Sequence, residues 1–115
     1  MILGTGIDII EIDRIAKSIE RWGDNFLNHV FLEEEIAYSK KHKNAAQHFA
    51  ARFAAKEAVY KAIDDKSIGW KDIKILNDKD GKPFCSIQRE GFKNKILISI
   101  SHSQNYAVAN AIITE

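Results

Sequence analysis

Between Arg52 and Ile63 the chain reads "RFAAKEAVYKAI". Alanines and other good helix formers fill this stretch, and it holds neither Gly nor Pro, so it is a helix. At 100° per residue, Ala50, Ala54, Glu57 and Lys61 share one face. Phe49, Phe53, Tyr60 and Ile63 lie on another face and should enter the core. A surface Glu57–Lys61 pair at i, i+4 would account for the two charges, at about 0.2–0.5 kcal/mol. The alanines around Glu57 argue against that, because a solvated helix face carries more polar residues. A carboxylate among small residues suggests a bound cation.

The other end of the argument is "GTGIDIIEI", from Gly4 to Ile12. Strand alternation puts Gly4, Gly6, Asp8 and Ile10 on one face, with Ile7 and Ile9 on the other. A carboxylate in such a strand is costly unless something replaces its lost water. The two glycines are expected to leave space beside Asp8 for a ligand. An exposed strand position would also accept Asp8. Two carboxylates from different elements suit magnesium, which takes hard oxygen ligands and often shares them with phosphate oxygens. His29, His42, His48 and His102 show no HxxxH or HExxH spacing, so zinc is not expected. His102 ends a strand, where it either caps a turn or reaches a ligand.

The remaining elements follow from local signals. Residues 1–12 read as a strand. Asp13 is placed to cap a helix, "DRIAKSIERWG", with Ile15, Ile19 and Trp22 as its buried stripe. Arg14, Lys17 and Arg21 form a separate basic stripe. "DNFLNHVF" is a short helical turn, and "LEEEIAYSKKH" a helix with acids first and bases last, as the helix dipole favours. The longest helix spans 44–63. "KDIKILND", "FCSIQRE", "KILISIS" and "YAVANAII" are strands, with "DKDGKP" as a turn. The fold class is therefore α+β: an antiparallel sheet packed against one long helix, with further short helices. The 115 residues fit a single domain, 1–115.

Composition narrows the function. The net charge is +1, so there is no general case for nucleic-acid binding and any basic patch is local. One cysteine, Cys85, permits no internal disulfide and no Cys-rich metal site. No apolar run approaches the roughly 20 residues that span a bilayer. The start "MILGTGIDII" has no basic n-region, so a cytoplasmic setting is expected.

"GIDIIEIDRI" (Gly6 to Ile15) resembles the first signature of the holo-acyl-carrier-protein synthases, a family of phosphopantetheinyl transferases. "RFAAKEAVYKAI" resembles the second, and "DGKPF" and "ISISHS" resemble later family segments in the right order. The resemblance implies transfer of the 4′-phosphopantetheine arm of coenzyme A to a serine of acyl carrier protein, with release of adenosine 3′,5′-bisphosphate, in fatty acid biosynthesis. It implies Asp8 and Glu57 as magnesium ligands and Lys61 near the reacting phosphate. Arg52 and His102 match positions that approach the nucleotide end, and Lys56 lies within the signature among the expected coenzyme A contacts. The basic stripe Arg14, Lys17 and Arg21 would dock the acidic carrier protein. "KKHK" (Lys40 to Lys43) is a helix end or a contact for the 3′-phosphate. A homotrimer with sites between subunits is implied. "KILISIS" and "YAVANAII" agree with that, being too apolar on both faces for a fully solvated sheet. "DDKSIG" (Asp64 to Gly69) departs from the family's Gly-rich turn, so Asp64 and Asp65 either face solvent or shift the phosphate path. Two other readings remain on the residues alone: a non-catalytic module docking an acidic partner, and a magnesium-dependent nuclease or phosphatase.

Overall fold

The computed structural model describes residues 1–115. Strand β1 (Ile2–Glu11) leads into three short helices, α1 (Ile12–Trp22), α2 (Asp24–Val30) and α3 (Glu33–Lys40). The long helix α4 (Ala45–Ile63) follows, then a single 3-10 turn, Trp70–Asp72. Strands β2 (Ile73–Asn77), β3 (Pro83–Ile87), β4 (Lys95–His102) and β5 (Tyr106–Thr114) complete the chain. The architecture is α+β, with every strand pair antiparallel.

The strands divide into two sheets. β1, β5 and β4 form one in that order, so the first strand pairs with the last; β2 and β3 form the other. The single run of strands expected from the sequence is thus split, with the N-terminal strand on the far edge of β5 and β2 and β3 paired only with each other. No periodicity signals which strand takes that edge.

One face of the three-stranded sheet meets α4. β5 turns Ala107, Ala109, Ala111 and Ile113 inward, and α4 answers with Ala50, Ala54, Ala55, Ala58 and Ala62, all buried. Small residues on both sides let the backbones come close. At β1 the approach is extreme. A Cβ on Gly4 would stand 2.2 Å from the Ala62 carbonyl oxygen, and one on Gly6 would stand 1.9 Å from that of Ala58. Both separations are far below contact distance. The space expected for a ligand beside Asp8 is therefore filled by the backbone of α4. The glycines serve the strand–helix contact, and the contact serves the site.

Three local expectations also change. Asp13 does not cap α1: the N-cap is Glu11, without a side-chain bond, and Asp13 pairs with Lys17 at 2.9 Å one turn on. Trp22 does not join the buried stripe of Ile15 and Ile19; it is 55 % exposed, under the Arg21 guanidinium at 4.8 Å. It sits in the last turn, where α1 has run past the edge of the core. Tyr60 is likewise exposed, while Phe49 is buried and Phe53 and Ile63 are partly so.

Gly6→Ala should be poorly folded. Overpacking against a helix backbone that cannot yield costs at least about 2–3 kcal/mol, so a thermal melt should show a large loss or no cooperative transition. A variant melting like wild type would contradict the close approach.

Candidate active site

Asp8 stands at the middle of β1, opposite Ala109 of β5, two residues beyond Gly6. Glu57 comes from the fourth turn of α4, one residue before Ala58, whose carbonyl oxygen faces Gly6. The glycine contact thereby brings the two carboxylates near enough for the Asp8 charge to act on Glu57. Burial raises the Glu57 carboxyl above its ordinary value of 4.5, the neighbouring Asp8 charge raises it further, and Lys61 partly opposes both. Lys61 lies one turn on; its ammonium donates to Asp8 Oδ1 at 3.2 Å and to the Ile7 carbonyl at 2.9 Å. Asp8, Glu57 and Lys61 thus form one electrostatic cluster, in which the exposed Lys61 pairs with Asp8 and acts on Glu57 through its charge alone. An ionised Glu57 is under strain here, and a second cation would relieve it. The chain brings no third His, Cys, Asp or Glu to the pair, so further ligands for a cation would have to come from a substrate and from water.

Glu57 also borders a cavity of about 250 Å³, shared with Lys56, Tyr60, Ile68, Gly69, Trp70 and Ile73. The Asp64–Gly69 segment supplies one wall. Asp64 closes α4 in a left-handed conformation (φ 56°). Asp64 and Asp65 both face solvent, and Asp65 Oδ1 accepts from the Ser67 amide at 3.0 Å and its hydroxyl at 2.7 Å. Hydrogen bonding to Ser67 holds the Asp65 carboxyl below its ordinary value. Of the two alternatives for the aspartates, solvent exposure is the one observed.

Toward the start of α4 lies a cationic, aromatic corner. The Arg52 guanidinium stacks over Tyr38 at 4.0 Å and donates to Asn77 Oδ1, and its buried Nε has no partner. Its burial lowers its pKa. The His42 and His48 rings stand 3.8 Å apart. Desolvation, then the charges of His42, Arg52 and His102, lower the pKa of His48. Exposed His102 Nδ1 meets Gln47 Nε2 at 2.7 Å.

Lys56, expected among the coenzyme A contacts, lines the cavity beside Glu57. Its ammonium is fully buried, ion-paired with Glu35 at 2.7 Å, and it donates to the carbonyls of Val30 and Trp70 at 2.9 Å each. All three N–H directions are spent inside the protein. Sequence reasoning missed Glu35, the third of three consecutive glutamates, because nothing in "EEE" marks which one turns inward. It also missed Tyr38, which packs under the Arg52 guanidinium, and His48, which meets the Tyr38 ring edge-on at 5.8 Å. Arg14, Lys17 and Arg21 all lie exposed on α1.

A family model described as the 4′-phosphopantetheinyl transferase superfamily matches residues 4–111. The chain belongs to that superfamily. It is 51 % identical to the holo-[acyl-carrier-protein] synthase of Thermodesulfovibrio yellowstonii, across 99 % of this chain and 100 % of the relative. It is 49 % identical to the Protochlamydia amoebophila protein of the same name, across 97 % and 98 %. Among solved structures, it resembles the Bacillus anthracis holo-(acyl-carrier-protein) synthase in complex with CoA (3′,5′-ADP). That match has a TM-score of 0.86 and 37 % identity, covering 98 % of this chain and 96 % of the other. The Helicobacter pylori holo-[acyl-carrier-protein] synthase in complex with coenzyme A matches with a TM-score of 0.87 and 31 % identity, across 96 % and 99 %. The transferase fold and the two signatures therefore coincide in one chain.

The raised Glu57 carboxyl has a consequence for this superfamily member without added metal. A group whose folded-state pKa is raised favours the fold fully below its unfolded value, and that contribution is lost as pH rises through the folded value. Glu57→Gln, which cannot ionise, should therefore melt at a higher temperature than wild type at pH 7. The difference should vanish below pH 4.5. Equal melting temperatures at pH 7 would contradict the strain assigned to Glu57.

Proposed function

We propose that this chain transfers 4′-phosphopantetheine from coenzyme A to a serine of apo acyl carrier protein, with magnesium, releasing adenosine 3′,5′-bisphosphate. The observation that carries the reading is the Asp8–Glu57–Lys61 cluster, set beside a cavity in a chain that is half identical, end to end, to a synthase of that name. In the transfer, the serine oxygen forms a bond to the phosphorus that bears pantetheine, and the pyrophosphate P–O bond breaks. The serine proton goes to a water or to a carboxylate at the site.

Asp8 and Glu57 fit a divalent cation, as two carboxylates of which one, Glu57, has its pKa raised by burial and then by the charge of the other. When bound, magnesium would neutralise charge on the pyrophosphate and help orient it. Lys61, exposed and already among these carboxylates, is placed to offset negative charge on the transferring phosphoryl group. Arg52 and His102, in the cationic corner, serve the nucleotide end of coenzyme A. Asp8→Asn and Glu57→Gln should each lower transfer at least about a hundredfold while retaining the fold, as expected for loss of a group that acts on the developing charge. The measurement is the mass gain of one phosphopantetheine group on purified apo carrier protein. Near-normal transfer at low magnesium in either variant would overturn the ligand assignment, and turnover of a phosphodiester without coenzyme A would favour a nuclease.

The carrier protein docks on α1. Arg14, Lys17 and Arg21 are exposed together there, suited to an acidic partner. Arg14→Glu should raise KM for the carrier protein about tenfold, roughly 1.4 kcal/mol, with little change in KM for coenzyme A. Equal effects on both would place Arg14 inside the catalytic site instead. Service in fatty acid biosynthesis and a cytoplasmic location belong to the same reading; no helix of the chain is long and apolar enough to cross a membrane.

Assembly as a homotrimer completes it. The outer face of the three-stranded sheet exposes Leu3, Ile7, Ile9 and Leu97, with Val108 of β5 opposite Ile9 and Ile112 of β5 opposite Leu97. An apolar face of that kind calls for cover. Ile7, Ile9 and Val108 share a hollow with Asp8 and Lys61, so a second copy seated there would wall the catalytic cluster. Sedimentation should give three copies, and Ile9→Glu should give monomers without transfer activity. A fully active monomer would refute the interface site.

A further inference from the structure

Lys56 immediately precedes Glu57, and one helical step turns its side chain about 100° away. Its ammonium and the Glu35 carboxylate are both completely buried, 2.7 Å apart. The pair reaches five segments of chain. Lys56 on α4 donates to the Val30 carbonyl at the end of α2 and to the Trp70 carbonyl in the 3-10 turn. Glu35 on α3 accepts from the Leu32 amide at 2.7 Å through Oε1 and from the Ile75 amide of β2 at 2.8 Å through Oε2.

Stability alone does not explain such a pair. Removing two charges from water is expensive, and well-packed apolar replacements of a buried pair are often as stable or more so. What the pair supplies is a fixed direction. The carbonyl it grips belongs to Trp70, which with Ile68 and Gly69 forms the cavity wall facing Glu57. The far side of that wall is held independently. Arg89 donates to the Ser67 carbonyl at 2.8 Å and to Asp72 Oδ2 at 3.0 Å, and Asp72 Oδ2 also accepts from the Gly69 amide at 2.8 Å. The wall is pinned from inside by Lys56 and from outside by Arg89.

We propose that the buried Lys56–Glu35 pair is a positioning device that sets the Ile68–Trp70 wall against Glu57, so that the Lys56 ammonium, its three N–H groups spent on Glu35, Val30 and Trp70, acts on coenzyme A through the cavity's shape. This rests on the reading that coenzyme A binds beside Glu57.

The test uses the full chain with Glu35→Leu combined with Lys56→Met, an apolar replacement chosen to retain the fold. Lys56→Arg, which keeps the charge, accompanies it. Folding is checked by thermal melting, coenzyme A binding by calorimetry, and KM and kcat are measured separately for each substrate. The expected result is a folded double variant that binds coenzyme A about tenfold more weakly. Its kcat should fall roughly ten- to a hundredfold, the scale of a misplaced reacting group. Its KM for the carrier protein should be unchanged, and Lys56→Arg should recover part of the loss. A folded double variant with wild-type coenzyme A affinity and kcat would overturn the proposal, leaving the pair a structural tie only. If the double variant does not fold, Lys56→Arg decides alone: weakened coenzyme A binding with unchanged carrier-protein KM supports positioning, and unchanged coenzyme A binding refutes it. Wild-type protein that binds no coenzyme A would instead fail the functional reading itself, and that arm is measured first.

Discussion

The structure depends on how closely α4 lies on β1. Peptide carbonyls at Ala58 and Ala62 occupy the places where Cβ atoms of Gly6 and Gly4 would stand. The carboxylate pair inherits its position from that contact. Asp8 follows two residues after Gly6 on the strand, and Glu57 precedes Ala58 on the helix, so bringing the backbones together brings the carboxylates together. The alanines of α4 and β5 extend the close approach across the sheet. Bulkier residues would lift the helix and separate the two anions.

A second constraint acts on the helix's other side. There the interior is polar at one point, where Lys56 and Glu35 meet with their remaining bonding directions filled by backbone groups. Such a fully satisfied buried network tolerates few arrangements of the segments it joins. The same low-polarity surroundings push the nearby Cys85 thiol up to about 12, chiefly through burial, which keeps it an unreactive space-filler. α4 is thereby fixed on both faces, by backbone contact with β1 and by hydrogen-bonded charge with the smaller elements.

Much of this was legible in the sequence, and the failures have physical causes. The helix 44–63, the strand carrying Asp8 and the later strands announce themselves through composition and alternation, because those signals are local. The glycines of "GTGIDIIEI" were correctly marked as making room, but the occupant was misjudged: only the tertiary fold reveals that a helix backbone fills it. Lys56 and Lys61 look alike in "KEAVYK", yet one is buried and the other exposed. The difference is made by Glu35, 21 residues earlier in the chain, and no spacing rule connects them. Trp22 and Tyr60 carry large apolar rings at the right helical period, but Trp22 lies in the last turn of α1 and Tyr60 borders the cavity beside Glu57, and periodicity marks neither. The edge position of β1 is invisible for the same reason, since strand order is a property of the whole chain.

The central claim is that close strand–helix packing places Asp8 against Glu57 and leaves Glu57 short of a cation. The most direct measurement is a carbon-13 NMR titration of the Glu57 side-chain carboxyl, first without metal and then with magnesium and coenzyme A. The account predicts a carboxyl titrating above 4.5 without metal, and a large downward shift of that titration once magnesium and coenzyme A are present. A Glu57 carboxyl that titrates at its ordinary value and ignores both additions would contradict it.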